Sequence, residues 1–115
     1  MAEKAGHVKP FVMASGITQN LLIKEDQGAG AETRQPESLL VANMHTDEIS
    51  VVIEYFHRLS GLFFKIAPAK IIHFGESNLA DLTGIHLRVG DAITLTVNGG
   101  PAHALLSLRE PEGGK

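Results

Sequence analysis

The chain has 115 residues and a mass of 12.3 kDa, which suits a single domain with one modest core. Its apolar fraction of 43% and charged fraction of 20% exclude a disordered or collagen-like chain, and the absence of cysteine excludes disulfides, thiolate metal sites and a cysteine nucleophile. A net charge of -3, with ten scattered lysine and arginine residues and only 5% aromatics, argues against nucleic acid as the main partner.

The sequence of the N-terminal third predicts an arm, then one or two strands, and then a loop. Residues 1–9 are polar, small or charged and predict a flexible N-terminal arm. Two apolar runs within residues 11–24 surround Ser15-Gly16 and predict either one bent strand or two strands. Residues 25–38 contain glycine and proline and little to bury, so we expect a long exposed loop there.

Residues 39–57 predict a β-hairpin, because an apolar run and a β-branched, aromatic run flank the polar turn at residues 45–48. The second run is apolar on both faces, which favours a strand inside a sheet. Residues 62–66 and 71–74 predict two more short strands, and Pro68 between them favours an edge or a connection. The segment NLADLTG at residues 78–84 predicts either a single helical turn or the lip of a strand.

The C-terminal third alternates clearly between apolar and polar residues. Such alternation at residues 85–89 and, after the Gly90-Asp91 turn, at residues 92–98 predicts half-buried strands, and residues 102–108 predict a last strand. The same alternation places His103 on the outward face of its strand. The side chains predicted to face the core here are Ile93, Leu95, Val97, Ala104, Leu106 and Leu108.

These elements add up to about seven or eight short strands with turn signals between them and no amphipathic helix. That pattern predicts an all-β protein, a single-domain antiparallel β-sandwich of jelly-roll-like form. We expect an arm at residues 1–9, the β-sandwich domain at residues 10–110 and a polar tail at residues 111–115. The pattern leaves the strand order open, as well as the choice between a sandwich and a closed barrel.

Six histidines are the residues most suited to metal binding or to acid-base chemistry. Metal sites on strands use His-x-His spacing and those on helices use His-x-x-x-His spacing, and the chain has neither. We therefore predict histidines at the surface or at subunit contacts, with no metal site. They are His7, His45, His57, His73, His86 and His103.

The stretch RVGDAITLTVNGGPAHALLSL, residues 88–108, resembles the second half of the cupin signature, with a Gly-Asp turn, a strand, a glycine turn and His103. The first half of that signature carries His-x-His and a glutamate. Only IIHFGES approaches it here, with His73 and Glu76 but no second histidine in place. The incomplete signature thus disfavours a metal-dependent cupin enzyme and leaves a metal-free relative of that fold open.

No other pattern predicts catalysis. The chain lacks the Gly-x-Ser-x-Gly elbow of serine hydrolases and both common glycine-rich phosphate loops. Asp81 and Asp91 lie in predicted turns, where aspartate commonly accepts hydrogen bonds from nearby backbone. Ser15 and Ser60 likewise precede turn glycines. We predict no catalytic, cofactor-binding or metal-binding residue, no cofactor, and a protein that is not an enzyme.

Three stretches resemble the small all-β virion proteins of tailed bacteriophages, which include decoration, cement and head or tail accessory proteins. They are LLVANMHTDEISVVIEYF at residues 39–56, IAPAKIIHFGES at residues 66–77 and LTGIHLRVGDAITLTVNG at residues 82–99. The resemblance implies a structural protein that binds and stabilises the capsid surface, with the major capsid protein or another virion protein as its partner. It also implies a homo-oligomer, with a trimer favoured.

One alternative function is a carbohydrate-binding or host-recognition β-sandwich module, although one tyrosine and no tryptophan provide few aromatic rings for sugar stacking. A second alternative is a cupin-like metal enzyme. No apolar window reaches the roughly 18 residues of a membrane span, and MAEKAGHVKP lacks the apolar run of a secretory signal. We therefore expect no membrane partner and synthesis in the cytoplasm. The resemblance to virion proteins implies that this is the host cytoplasm and that the final location is the capsid surface of the virion.

Overall fold

Nine strands form the computed structural model, which describes residues 7–23, 34–66 and 69–109. These residues contain no helix, and hence none that could span a membrane. Every pairing between the described strands is antiparallel, so the predicted all-β class is confirmed. The strands are β1 (His7–Met13), β2 (Ile17–Ile23), β3 (Gln35–Asn43), β4 (Ile49–His57), β5 (Leu62–Lys65), β6 (Lys70–Ile72), β7 (Ser77–Asp81), β8 (Ala92–Asn98) and β9 (Ala102–Arg109).

The strands build two sheets that pack face to face, as the prediction of a sandwich requires. Sheet A has the order β1-β9-β3-β7, and sheet B has the order β2-β8-β4 followed by an edge that β5 and β6 share. Within β4, residues 54–57 pair with β5 and residues 49–51 pair with β6. The two short strands therefore occupy successive halves of one edge.

The core lies between the inward faces of the two central strands, β8 and β9. All six side chains predicted to face inward on these strands are fully buried, in agreement with the alternation in the sequence. Strand β8 differs from the prediction in one respect: Ala92 and Thr94, on its outward side, are buried as well. On that face the register sets Phe56 of β4 beside Ala92 and Glu54 beside Thr94, next to larger side chains than a half-buried strand would require.

The predicted hairpin over residues 39–57 is wrong, because β3 belongs to sheet A and β4 to sheet B. The connection crosses from one sheet to the other and is held by the Asn43 side chain. Its amide nitrogen donates to the carbonyl oxygens of Asp47 and Ile72, both at 2.8 Å, and its oxygen accepts the His45 N–H at 2.7 Å. Polar turn residues suit such a crossing as well as a hairpin, so the sequence could not separate the two.

The strand predicted at residues 85–89 is also wrong, because residues 82–91 form an irregular loop. Side chains from distant strands satisfy its backbone. The buried Gln35 amide donates to the Leu87 carbonyl at 3.1 Å and accepts the Leu87 N–H at 2.6 Å. Arg109 donates to the carbonyl oxygens of Thr83 and Ile85, each at 3.1 Å. These side-chain hydrogen bonds take the place of the backbone hydrogen bonds that a strand would have made with a neighbouring strand.

The remaining predictions concern the ends and the long loop. Residues 11–24 give two strands around Ser15-Gly16, one in each sheet, and most of NLADLTG lies in β7. Residues 7–9 of the predicted arm belong to β1 and pair with β9, while residues 35–38 of the predicted loop begin β3. The rest of the arm, most of the loop, Pro68 and the tail lie outside the described residues.

Replacing Gln35 with alanine tests whether its amide holds the loop. The change leaves the N–H and the carbonyl of Leu87 buried without partners, which we expect to lower the free energy of unfolding by about 2–3 kcal/mol. Urea unfolding followed by circular dichroism measures the change. The control is Glu37→Ala in the same strand, whose exposed side chain predicts a change within about 0.5 kcal/mol. Equal losses in the two variants would contradict this role of Gln35.

Candidate protein-binding surfaces

The structure disperses the histidines that sequence analysis considered. The described residues hold no group of three or more potential ligands that could bind a metal. His45 packs against Gly100, His57 Nδ1 lies 2.9 Å from Ser60 Oγ, and His73 Nδ1 lies 3.4 Å from an exposed Glu48 carboxylate oxygen. His86 is exposed in the loop. His103 is exposed on the outward face of sheet A, which confirms the prediction from the alternation of β9.

Strands β4 and β5 form a hairpin whose turn, residues 58–61, carries strongly exposed apolar groups. Gly61 adopts a positive φ of 72° and donates its N–H to the His57 carbonyl at 2.8 Å, which closes the turn. Leu59 at the tip is 83% exposed, and Leu62 beyond the turn is 56% exposed. Apolar side chains held in water at a hairpin tip favour contact with another macromolecule.

Aromatic rings cover both faces of this hairpin. Phe56 and Phe63 pair on one face with ring centroids 4.9 Å apart, and Tyr55 and Phe64 pair on the other at 6.3 Å. Phe63 and Phe64 each remain about half exposed, at 54% and 48%. Within the described residues β5 pairs with β4 alone, so its second edge is open. Rings and an open strand edge together make a surface suited to a protein partner.

The buried carboxylate of Asp91 ties the hairpin to the loop at residues 82–91, through Tyr55 of β4 and through Arg58 in the turn. One oxygen accepts the Arg58 N–H at 3.0 Å, and the other accepts the Tyr55 hydroxyl and the Arg88 N–H, both at 2.9 Å. The sequence predicted a turn aspartate bonded to nearby backbone, which describes the bond to Arg88. The bonds to Tyr55 and Arg58 join segments more than thirty residues apart, and sequence analysis missed them.

These contacts shift two pKa values. Burial alone would raise the pKa of Asp91, but the N–H groups of Arg58 and Arg88, the Tyr55 hydroxyl and the neighbouring His57 together lower it below its usual range. The pKa of Tyr55 is raised by burial, by its hydrogen bond to Asp91 and by the charge of that carboxylate, against a smaller effect of Arg88. At neutral pH Asp91 is therefore an ionised carboxylate, and it accepts a hydrogen bond from the neutral Tyr55 hydroxyl.

Gly90 lets the Arg58 side chain lie across the loop. Its φ of +93° lies in the region that favours glycine, and a Cβ at this position would overlap the Arg58 side chain. Arg58 therefore holds the hairpin turn to the loop through its N–H on Asp91 and through its side chain on Gly90. The Gly-Asp pair noted in the sequence therefore helps to position the hairpin.

The outward face of sheet A is a second apolar surface. The strand register sets its side chains in three rows across the four strands. Val12 and Leu79 are the most exposed of its apolar residues, at 74% and 66%. We name the rows by their members: the central row is Pro10, Leu105, Leu40 and Leu79; the histidine row is Val12, His103, Ala42 and Ser77; the serine row is Val8, Ser107, Ser38 and Asp81.

An open cleft of about 500 Å³ lies between β7 at the edge of sheet A and the β5–β6 edge of sheet B. Its walls are mainly apolar and include Ile53, Ile66 and Ala80. Lys70 and Asp81 are the charged residues of its lining in the described part of the chain. The cleft leaves the apolar side of the sandwich between these two edge strands open to solvent.

The variant Asp91→Asn tests the role of the buried carboxylate. One oxygen becomes an NH₂ group that faces existing donors, so we expect the free energy of unfolding to fall by about 2 kcal/mol at neutral pH. Because the folded pKa is lowered, the carboxylate stabilises fully above its unfolded pKa, and this contribution is lost as the pH falls through the folded value. The difference in the free energy of unfolding between variant and wild type should therefore shrink as the pH falls from neutral through that folded value.

Urea unfolding, repeated from neutral pH downwards, measures both the loss of unfolding free energy and its dependence on pH. The control is Asp81→Asn, whose carboxylate accepts the Thr83 N–H and hydroxyl in an exposed turn and should contribute much less. A loss for Asp91→Asn that does not depend on pH would rule out the carboxylate as its source.

No protein-family model matches the chain, and no curated protein sequence matches it significantly.

Proposed function

We propose that the protein is a non-enzymatic structural component of a bacteriophage virion, a decoration or cement protein that binds the capsid surface and stabilises it. The observation that carries the proposal is the β4–β5 hairpin, which presents Leu59, Leu62, Phe63 and Phe64 to solvent. The major capsid protein is the proposed partner, and the virion surface is the proposed location.

The rigidity of the hairpin supports a binding role. Asp91 holds Tyr55 of β4 and the turn residue Arg58 in place, and the paired rings Phe56 and Phe63 stiffen one face. A surface held in one conformation before binding loses less conformational entropy when it docks. A few buried aromatic and aliphatic anchors supply most of the affinity in protein interfaces, and the hairpin offers such anchors in a short segment.

We also propose that the sandwich is a jelly roll. Counting β5 and β6 as the two halves of one strand leaves eight strands in two four-stranded sheets, with the orders β1-β9-β3-β7 and β2-β8-β4-(β5/β6). Jelly rolls of this size occur in viral capsid proteins, in lectins and in cupins. The fold therefore agrees with a virion protein by analogy, while the hairpin carries the argument for binding.

The double variant Leu59→Asp, Leu62→Asp tests the hairpin as the capsid contact. Carboxylates at two anchor positions should weaken binding by about 2 kcal/mol or more, which is roughly 30-fold in affinity. The measurement is co-sedimentation with shells assembled from the major capsid protein of the phage that encodes the chain. The control is Phe74→Asp, another strongly exposed apolar residue, which lies beyond the opposite end of β4 and should leave the affinity unchanged.

Wild-type protein that fails to sediment with these shells would refute the proposal. Equal losses for the control and the double variant would refute the hairpin as the contact. Binding on a glycan array, together with no binding to shells, would instead favour the carbohydrate-binding module. A gene beside that of the major capsid protein would support the virion function independently of any binding measurement.

A further inference from the structure

We propose that the outward face of sheet A binds a second copy of the same chain, so that two protomers pair through these faces about a two-fold axis. The inference does not depend on the proposed function, because it concerns a surface other than the hairpin. The argument rests on the pattern of the three rows, on their charge and on the area that the face offers.

The central row is an unbroken apolar line across all four strands. Pro10, Leu105, Leu40 and Leu79 are direct cross-strand neighbours in the register. Leu105 and Leu79 are 41% and 66% exposed. A single exposed leucine is ordinary on a protein surface, but a contiguous line of them marks an interaction site.

The two outer rows complement each other. A two-fold axis along the central row sets Leu105 and Leu40 each against its counterpart, and it sets the histidine row of one copy against the serine row of the other. Val12 then faces Val8, and Ala42 faces Ser38, so apolar and small groups meet. His103 faces the Ser107 hydroxyl, which can exchange a hydrogen bond with the imidazole.

The charge pattern fits a second copy better than a charged partner. Among the twelve residues of the three rows, Asp81 is the one carboxylate, at a corner, and the two-fold sets it against the Ser77 hydroxyl. Arg109 lies beyond the serine row and donates to three backbone carbonyls of its own chain. Two chains of net charge -3 can thus approach through this face without bringing like charges together.

The area is of the size that a specific pair requires. Four strands about 4.8 Å apart and about seven residues long present a face of roughly 400 Å² in projection. Accessible area exceeds projected area on a surface of side chains, so two such faces bury on the order of 1,000 Å² or more, near the lower limit for specific interfaces. Sheets packed face to face lie about 10 Å apart with strands within about 30° of each other, which keeps the central rows in contact.

Chemical cross-linking tests the geometry directly, because the chain has no cysteine of its own. Leu105→Cys then carries the only thiol, and a short bismaleimide should join two chains into a species of twice the 12.3 kDa mass. The control Ile71→Cys lies exposed on the outward side of sheet B and should remain a single chain. A mixture of Val8→Cys and Val12→Cys chains should cross-link more than either variant alone, because the axis sets these positions opposite each other.

Light scattering of the purified protein measures the pairing without modification. Wild type should show the mass of two chains, and Leu105→Glu should raise the dissociation constant at least about 100-fold, because two carboxylates would meet across the axis. Ile71→Glu should leave it unchanged. Since Leu105 is already partly exposed, circular dichroism and the melting temperature should show that Leu105→Glu remains folded.

A single-chain mass for wild type at high micromolar concentration would overturn the inference, and so would a trimer that Leu105→Glu leaves intact. Cross-linking of Ile71→Cys to the same extent as Leu105→Cys would overturn it too. Loss of shell binding in Leu105→Glu, with wild type a single chain, would assign the face to the capsid and not to a second copy. The cross-linking and light-scattering measurements need no shells, so they stay interpretable if the capsid proposal fails.

Discussion

The packing of β8 against β9 is the contact on which the rest of the molecule depends. These consecutive strands lie in different sheets, and each has a neighbour on both sides: β2 and β4 flank β8, while β1 and β3 flank β9. Their inward side chains, such as Leu95 and Leu106, are fully buried. The remaining strands lie to either side of this pair in the two sheets, so the hairpin and the outward face of sheet A occupy positions relative to it.

Sequence alternation predicted the core well and the connections poorly, for a physical reason. Period-two burial is a local property, so the inward residues of β8 and β9 and the outward position of His103 could be read from the chain. Whether a turn joins strands of one sheet or carries the chain to the other depends on distant partners such as the carbonyl of Ile72, which the Asn43 side chain reaches. Residues 85–89 alternate like a strand, yet Gln35 and Arg109 satisfy their backbone from elsewhere in the chain.

The candidate surfaces were predictable in part. Adjacent Phe63 and Phe64 must point to opposite faces of a strand, so the sequence alone shows that both cannot face one core, and both are about half exposed. The carboxylate that supports their hairpin was identified only as a turn residue, because the bond between Asp91 and Tyr55 spans 36 positions of sequence. The rows across sheet A were likewise beyond prediction, since Pro10, Leu40, Leu79 and Leu105 become neighbours only once the strand order and register are known.

The position of β9 also governs when the fold can form. Strand β9 is central to sheet A, yet it follows all other described strands along the chain. During synthesis, β1, β3 and β7 emerge from the ribosome before β9. Since β9 lies between β1 and β3, sheet A is incomplete until residues 102–109 are made. Contacts between residues so far apart in sequence form slowly, and until they form the earlier apolar strands keep unpaired edges. Nascent chains of this protein should therefore depend on protection from aggregation until translation has passed β9.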